Sequence, residues 1–451
     1  MRANVLDFMA HRLPEELEAL IREGRHSEAR RRITELLKSA EGNYRRRLEF
    51  ELDRLRRWPL QYPYSEEEAF RIAAERIEGL DREEFGQLFS LGCVDHIRLE
   101  GEIRIFERFL PNMVWLCPAL KGRYEEENGV RRKAKEALRE RAMEVLRGEA
   151  SPLIFRVRAE LDVKSGRVPE GEKVRIWLPI PRISSLHPKV KILSYSGEPY
   201  ISSEDHPQRT AYFEATQSKD GARAWVEYEV EVVPRAPDSQ EINELDGKPQ
   251  PHHLEERIPH ITFFEELREL TSSLIADVDD PLAKARRIWD WVIDNTTYTY
   301  VHDYALFDNI SRFIFHRRRG DCGVQAILLI TMLRFAGIPA RWQSGWYANP
   351  VRWGMHDWAQ LYVEPLGWIY VDPSFGHPRE GEEWRRDFYF GGIEGYRLAF
   401  NSEVNYPFDP PKEHFRSDPV DSQRGEAEWD GGNLYYDEVD ARLEILDVRR
   451  A

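Results

Sequence analysis

The sequence predicts an α+β protein with a helical N-terminal region over 1–150, a small β-sandwich over 151–235 and an α+β core over 263–400. Two observations predict it. Apolar residues recur at three- and four-residue spacing before residue 150 and again from Phe263 to Asn295, which is the period of a helix with one buried face. Between Leu153 and Val233 they alternate or run β-rich between turn clusters such as Lys219-Asp220-Gly221, which is the period of strands.

In the first region, Leu13, Leu17, Leu20 and Ile21 mark one helix and Ile33, Leu36 and Leu37 the next. A third, carrying Leu48, Leu52 and Leu55, is expected to end at Trp58-Pro59. Its arginines (45–47, 54, 56, 57) alternate with glutamates, so they read as a solvated face rather than an RNA-binding stripe. A last helix should run from about Val130 to Arg147 and close at Gly148. The sandwich strands are expected at Leu153–Val163, Lys173–Leu178, Val190–Ser194, Ala211–Thr216 and Ala224–Val233. Residues 236–262 read as a linker. Its His252, His253 and His260 have no Cys, Asp or Glu at ligand spacing in the sequence, so no metal site is expected there. From 263 two helices follow, the second opened by Asp280 as cap and Pro281 at its first position. Then come a β-rich stretch over Thr296–Val301 and a loop of about twenty residues. Residues 401–451 are expected to wrap the surface as a tail, with a possible last strand at Leu443–Val448.

Composition narrows the function. The chain has 451 residues, 41% hydrophobic and 12% aromatic, so sizeable cores are available. Its 65 Lys and Arg against 80 Asp and Glu leave a net charge of −15. Phosphate backbones and anionic bilayers repel such a surface, so neither nucleic acid nor membrane is expected as a partner. No run of about 18 apolar residues occurs, and Met1–Leu20 carries too many charges for a signal peptide. Three cysteines, Cys93, Cys117 and Cys322, make no disulfide framework. A reduced, cytoplasmic setting is the expectation.

The chemistry concentrates between 320 and 376. Gly320-Asp321-Cys322-Gly323 opens a strongly apolar helix that Gly337 and Pro339 close. Cys322 therefore sits in a first turn, where unpaired N–H groups and the helix dipole favour a thiolate. Downstream, Gly354–Val363 and Gly367–Val371 read as two strands joined by a tight turn. Placing Ala359, Leu361, Val363, Ile369 and Val371 on one buried face requires Leu361 opposite Ile369 and Trp358 opposite Asp372. His356 and Asp372 then become diagonal neighbours on the other face, about 7–8 Å apart between backbones. A thiol needs such a pair: a base to take its proton and a carboxylate to orient that base.

These motifs in this order resemble the transglutaminase-like superfamily. The resemblance rests on Gly320-Asp321-Cys322-Gly323 and its helix, on Leu333–Arg341, on His356-x-Trp358, and on Gly367-Trp368 followed by Asp372-Pro373. It covers about 265–376 and implies a papain-like α+β catalytic domain. It carries over Cys322 as nucleophile, His356 as general base and acid, and Asp372 as orienting carboxylate, with no cofactor. Asp357 departs from the family, which usually has a small or apolar residue there. The family's oxyanion side chain falls at Tyr298 or Tyr300, with Tyr298 preferred. The implied activity is acyl transfer from a peptide or glutamine-type amide through a Cys322 thioester. Hydrolysis makes the protein a cysteine protease or amidase; an amine acceptor makes it a transglutaminase, and a glycosylated asparagine makes it a peptide-N-glycanase-like amidase. A non-catalytic peptide-binding module on the same fold is the alternative of another class. Trp346, Trp353 and Trp358 are the expected substrate-binding wall, one suited to an extended or apolar peptide or protein segment. Hydrolysis is favoured, because a transferase must guide an amine in while keeping water at about 55 M out.

Overall fold

A computed structural model describes residues 3–124, 128–238, 242–379 and 381–451. Its N-terminal region holds helices α1 (Glu15–Arg22), α2 (His26–Leu36), α3 (Gly42–Gln61), α4 (Glu66–Arg76) and α5 (Arg82–Ser90). A hairpin of β1 (His96–Leu99) and β2 (Glu102–Ile105) follows, then α6 (Phe109–Leu116) and α7 (Asn128–Leu146). The helical reading missed the hairpin, whose arms are four residues each and half-exposed. Ser65 and Glu68 form a reciprocal capping box at the start of α4. Pro59 does not end α3, which runs on to Gln61. A proline there cannot donate to the Leu55 carbonyl four residues back; Arg30 Nη2 does so instead, at 3.0 Å.

Cys93 and Cys117 form a disulfide within this region. That corrects the expectation of three reduced thiols and removes the ground on which a reducing compartment was inferred. No helix among the described residues is long and apolar enough to cross a membrane.

The sandwich strands are β3 (Leu153–Val163), β4 (Lys173–Pro179), β5 (Val190–Tyr195), β6 (Tyr200–Ile201), β7 (Thr210–Thr216) and β8 (Ala222–Val232). The core helices are α8 (Glu265–Ile275) and α9 (Pro281–Asn295), and Asp280 caps α9 by accepting from the Ala283 N–H at 2.7 Å. The Thr296–Val301 stretch is shorter than expected: β9 (Thr297–Tyr298) pairs in parallel with β10 (Arg319–Gly320). The supposed loop between them contains α10 (Ile310–Arg317), capped by Asn309.

Next come α11 (Cys322–Phe335), β11 (Ala340–Ala348), β12 (Trp353–Val363) and β13 (Gly367–Val371). The chain continues with α12 (Pro373–Gly376), α13 (Arg385–Phe388), β14 (Phe390–Gly391) and β15 (Arg397–Asn401). The tail supplies β16 (Glu426–Trp429), β17 (Gly432–Leu434) and β18 (Val439–Arg450). Rather than only wrapping the surface, it builds the sandwich. One sheet has the order β17-β16-β4-β7-β6 and the other β18-β3-β8-β5, with β18 paired along the whole of β3. A strand of twelve residues at the edge of a sheet was not visible locally because its pairing partner lies nearly three hundred residues upstream.

A third sheet, β14-β13-β12-β11-β15, positions the site. One face carries Ala359, Leu361, Val363, Ile369 and Val371 against α9 and α11. The other carries Trp358 and Tyr370, which join the core of the sandwich together with Leu398 and Phe400 of β15. Both faces of this sheet are therefore buried, and α11 is buried from Cys322 through Arg334. A helix apolar all round is what such a central position demands.

Candidate active site

The strand register is the one the hydrophobic pattern requires: Leu361 pairs with Ile369 and Ala359 with Val371. His356 and Asp372 consequently share a face, and His356 Nε2 lies 2.7 Å from Asp372 Oδ2. The same oxygen accepts from Arg397 Nη1 at 2.6 Å. Its partner Oδ1 accepts from the Phe375 N–H and the Ser374 hydroxyl at 3.0 and 3.1 Å. Asp372 thus caps α12 while it holds the imidazole. Burial alone would raise its pKa, but His356 and the Arg397 guanidinium outweigh that and hold it well below the usual carboxylate range. Arg397 is fully buried and is fixed from behind by Glu394. Burial depresses the His356 pKa, with Asp372 opposing. With Nε2 donating to a carboxylate, the neutral ring presents a lone pair at Nδ1.

Cys322 is held differently. Asp321 caps α11, its Oδ1 accepting from the Val324 N–H at 3.1 Å. The Cys322 thiol donates to Asp357 Oδ2 at 3.3 Å, and its hydrogen bond does not go to His356. Residues 356 and 357 are consecutive on β12, so their side chains leave opposite faces of the sheet. Tyr304, on the turn before α10, donates 2.8 Å to Asp321 Oδ1 and lies 3.2 Å from Asp357 Oδ2. Gln423, from the tail, donates to Asp357 Oδ1 at 2.6 Å. Glycine is required at 323, because a Cβ there would sit 2.1 Å from the Tyr304 hydroxyl and 2.6 Å from Asp357 Oδ2.

This arrangement reverses the expected electrostatics of the thiol. Burial, then Asp357 and Asp321, push the Cys322 pKa well up. The helix N-terminus does not compensate, since the Asp321 carboxylate already occupies its N–H groups. Asp321 is itself raised by burial to about 6, and Asp357 is raised by burial and by the nearby Asp421 and Asp321.

The remaining expected residues divide. Tyr298 pairs with Gly320, two residues before Cys322, which places it beside that thiol. Tyr300 is held elsewhere: its backbone exchanges hydrogen bonds with the Asn112 side chain, and Arg108 covers its ring 3.1 Å from the centroid. Trp358 is completely buried and stacks near His356, so it cannot line a substrate channel. Trp346 is partly buried, and its indole N–H is committed to the Gln423 carbonyl at 2.6 Å. Trp353 is 42% exposed and free to meet a ligand.

Sequence reasoning missed Arg397, Gln423, Tyr304 and Asp321. Only Asp321 had a local signal, its cap position before Cys322. The other three reach the site from distant segments. The same holds for Glu403, which joins His252 and His253 to give ligand atoms within 4.8 Å of one another. The linker histidines therefore do have a carboxylate, contrary to expectation. His253 Nδ1 accepts from the Gln250 N–H at 2.9 Å, which puts the ring proton on Nε2, 3.3 Å from Glu403 Oε1. A protonated nitrogen has no lone pair for a metal. The cluster fits a hydrogen-bonded tether of the linker to the tail.

Residues 268–373 match the family model of the transglutaminase-like superfamily, and this part of the chain is a transglutaminase-like core. Among curated proteins, the chain is 25% identical over 131 residues to the uncharacterized protein YebA of Bacillus subtilis (strain 168). That match takes in 25% of this chain and spans only 18% of YebA. Among solved structures, a candidate cysteine protease of Cytophaga hutchinsonii aligns at TM-score 0.42 and 15% identity, over 67% of this chain and 93% of that one. The periplasmic domain of TgpA from Pseudomonas aeruginosa aligns at TM-score 0.28 and 17% identity, over 52% and 91%.

Proposed function

We propose that the protein is a thiol-dependent hydrolase of peptide or glutamine-type amides, acting through an acyl thioester on Cys322. The observation that carries this reading is the His356–Asp372 pair, 2.7 Å apart in a buried setting with Asp372 kept ionised by Arg397. A pair so fixed has its Nδ1 lone pair free to accept the thiol proton. It then delivers that proton to the leaving amine and activates water for deacylation. The thiol leaves Asp357 to enter this cycle. On this reading the Cys322 backbone N–H and Tyr298 hold the oxyanion, and the exposed Trp353 meets substrate. A peptide or protein is the substrate we assign, with no nucleic acid and no membrane as partner, in keeping with the net charge of −15.

The test is a glutamine-bearing peptide incubated with the full chain, with and without excess primary amine, and products followed by mass. Free acid that disappears in Cys322→Ala supports hydrolysis. A Cys322-dependent amine adduct that dominates would assign a transglutaminase instead, and neither product would leave a binding module.

A further inference from the structure

The Cys322 thiol meets β12 at Asp357, the residue next to His356, and touches both its carboxylate and its backbone N–H. Asp357 is 3% exposed, and all of its polar reach is occupied. Oδ2 accepts from the thiol and faces Tyr304, and Oδ1 accepts from Gln423. Gln423 Nε2 also donates to the His356 carbonyl at 3.1 Å and the Gly345 carbonyl at 3.2 Å, so the tail fixes backbone and carboxylate together. Such a carboxyl group is more than a packing residue, because burying it costs stability that an apolar side chain would keep. Resting on the reading of Cys322 as nucleophile, we propose that Asp357 is a positioning residue that parks the thiol. Its Oδ2 holds the S–H, and that hydrogen bond has to break before the proton can pass from sulfur to His356 Nδ1.

The step is a proton relocation with no change of oxidation state. The S–H···Oδ2 contact opens, the sulfur turns toward the imidazole, and the S–H bond breaks as an N–H bond forms. An ionised Asp357 opposes that step as well, by placing a negative charge beside the developing thiolate. The groups around the pair add little help. Asp321 caps the same helix, Tyr304 and Tyr298 face it from the segment before α10, and Asp418 and Asp421 approach from the tail. Two cations reach this set: Arg108 acts on Asp321 and Tyr298, and Arg416 on Asp418 and Asp421. The parked thiol is therefore the stable state, and substrate or a shift of the tail has to release it.

Alkylation reads this directly, because the Cys93–Cys117 disulfide leaves Cys322 as the free thiol. Iodoacetamide rates on the full chain, measured from pH 6 to 10, should give wild type a midpoint above the ordinary thiol value of about 8.5. Asp357→Ala should alkylate about tenfold faster at pH 7, with its midpoint at least one unit lower. Asp357→Asn, which keeps an acceptor but loses the charge, should fall between. Cys322→Ala supplies the blank. A wild-type midpoint at or below the ordinary value overturns the proposal without any variant. Equal or slower rates in both Asp357 variants, with unmoved midpoints and native melting, overturn it too. No substrate enters the measurement, so an inactive peptide assay would sink the proposed function and leave this result standing.

Discussion

Asp357, inside β12, and Asp372, just past the end of β13, are both buried carboxylates, 3% and 4% exposed, yet they behave as opposites. On the sandwich side, Asp372 lies between an imidazole and a buried guanidinium and stays ionised far below its ordinary range. On the α11 side, Asp357 lies among a thiol, the Tyr304 phenol and further acids, and its pKa rises. Burial is the same; the partners differ. The two faces of one strand thus hold a charged, rigid acid–base pair and a proton-rich thiol pocket. Catalysis on the proposed reading has to connect them.

The largest expected effect removes one side altogether. Cys322→Ala should reduce turnover of a cleaved peptide by at least about a thousandfold with the melting temperature little changed. Residual turnover within tenfold of wild type would break the comparison, since the thiol pocket would then have no chemical part.

The cation distinguishes the two carboxylates, so its removal should be costly. Arg397→Met leaves Asp372 and Glu394 buried without their guanidinium, and a loss of about 3–5 kcal/mol in unfolding free energy is expected. Urea titration measures it. A loss under about 1 kcal/mol would show that Asp372 does not need Arg397 to stay ionised.

The tryptophans on and beside β12 give a third contrast. Trp358→Ala should cost about 3–5 kcal/mol of stability, the usual range for emptying a buried aromatic site. Trp353→Ala should leave stability unchanged and raise KM several-fold. Equal losses of stability would mean that the exposed ring is structural.

The smallest effect concerns pH. A carboxyl whose folded pKa is raised adds stability fully present below its unfolded pKa and lost as pH rises through the folded one. Asp357 is such a group, so Asp357→Asn should equal wild type in stability at low pH and exceed it, by about 1 kcal/mol, in neutral and alkaline solution. Asp372 has the opposite sign: its share is present above the unfolded carboxylate pKa near 3.9 and fades only in stronger acid. Thermal melts of wild type and Asp357→Asn across pH 4–9 would show the divergence. A constant difference across that range would contradict it.

What the sequence made legible was local or periodic. The alternation in 356–372 is enough to pair Leu361 with Ile369 and so to set His356 beside Asp372. Asp280-Pro281 and Asp321-Cys322-Gly323 announce their helix starts through cap chemistry. What stayed hidden depends on closure over long distances. Arg30 completes a turn that Pro59 breaks, Cys93 meets Cys117 without a motif, and β18 pairs with β3 across the whole chain. The thiol's partner was hidden for a subtler reason. Periodicity tells which residues share a face, but not on which face the N-terminus of α11 docks. Asp357 could be seen as unusual in the sequence; its hydrogen bond to Cys322 could not.

The tail has a consequence for the order of synthesis. When a ribosome has released Cys322, His356 and Asp372, the strands that close both sandwich sheets, and the Gln423 that grips Asp357, are still to come. A chain made only to about residue 400 has Cys322, His356 and Asp372 but lacks the strands β16, β17 and β18 of the sandwich sheets. The clamp on Asp357 is thus added after Cys322, His356 and Asp372 have been made.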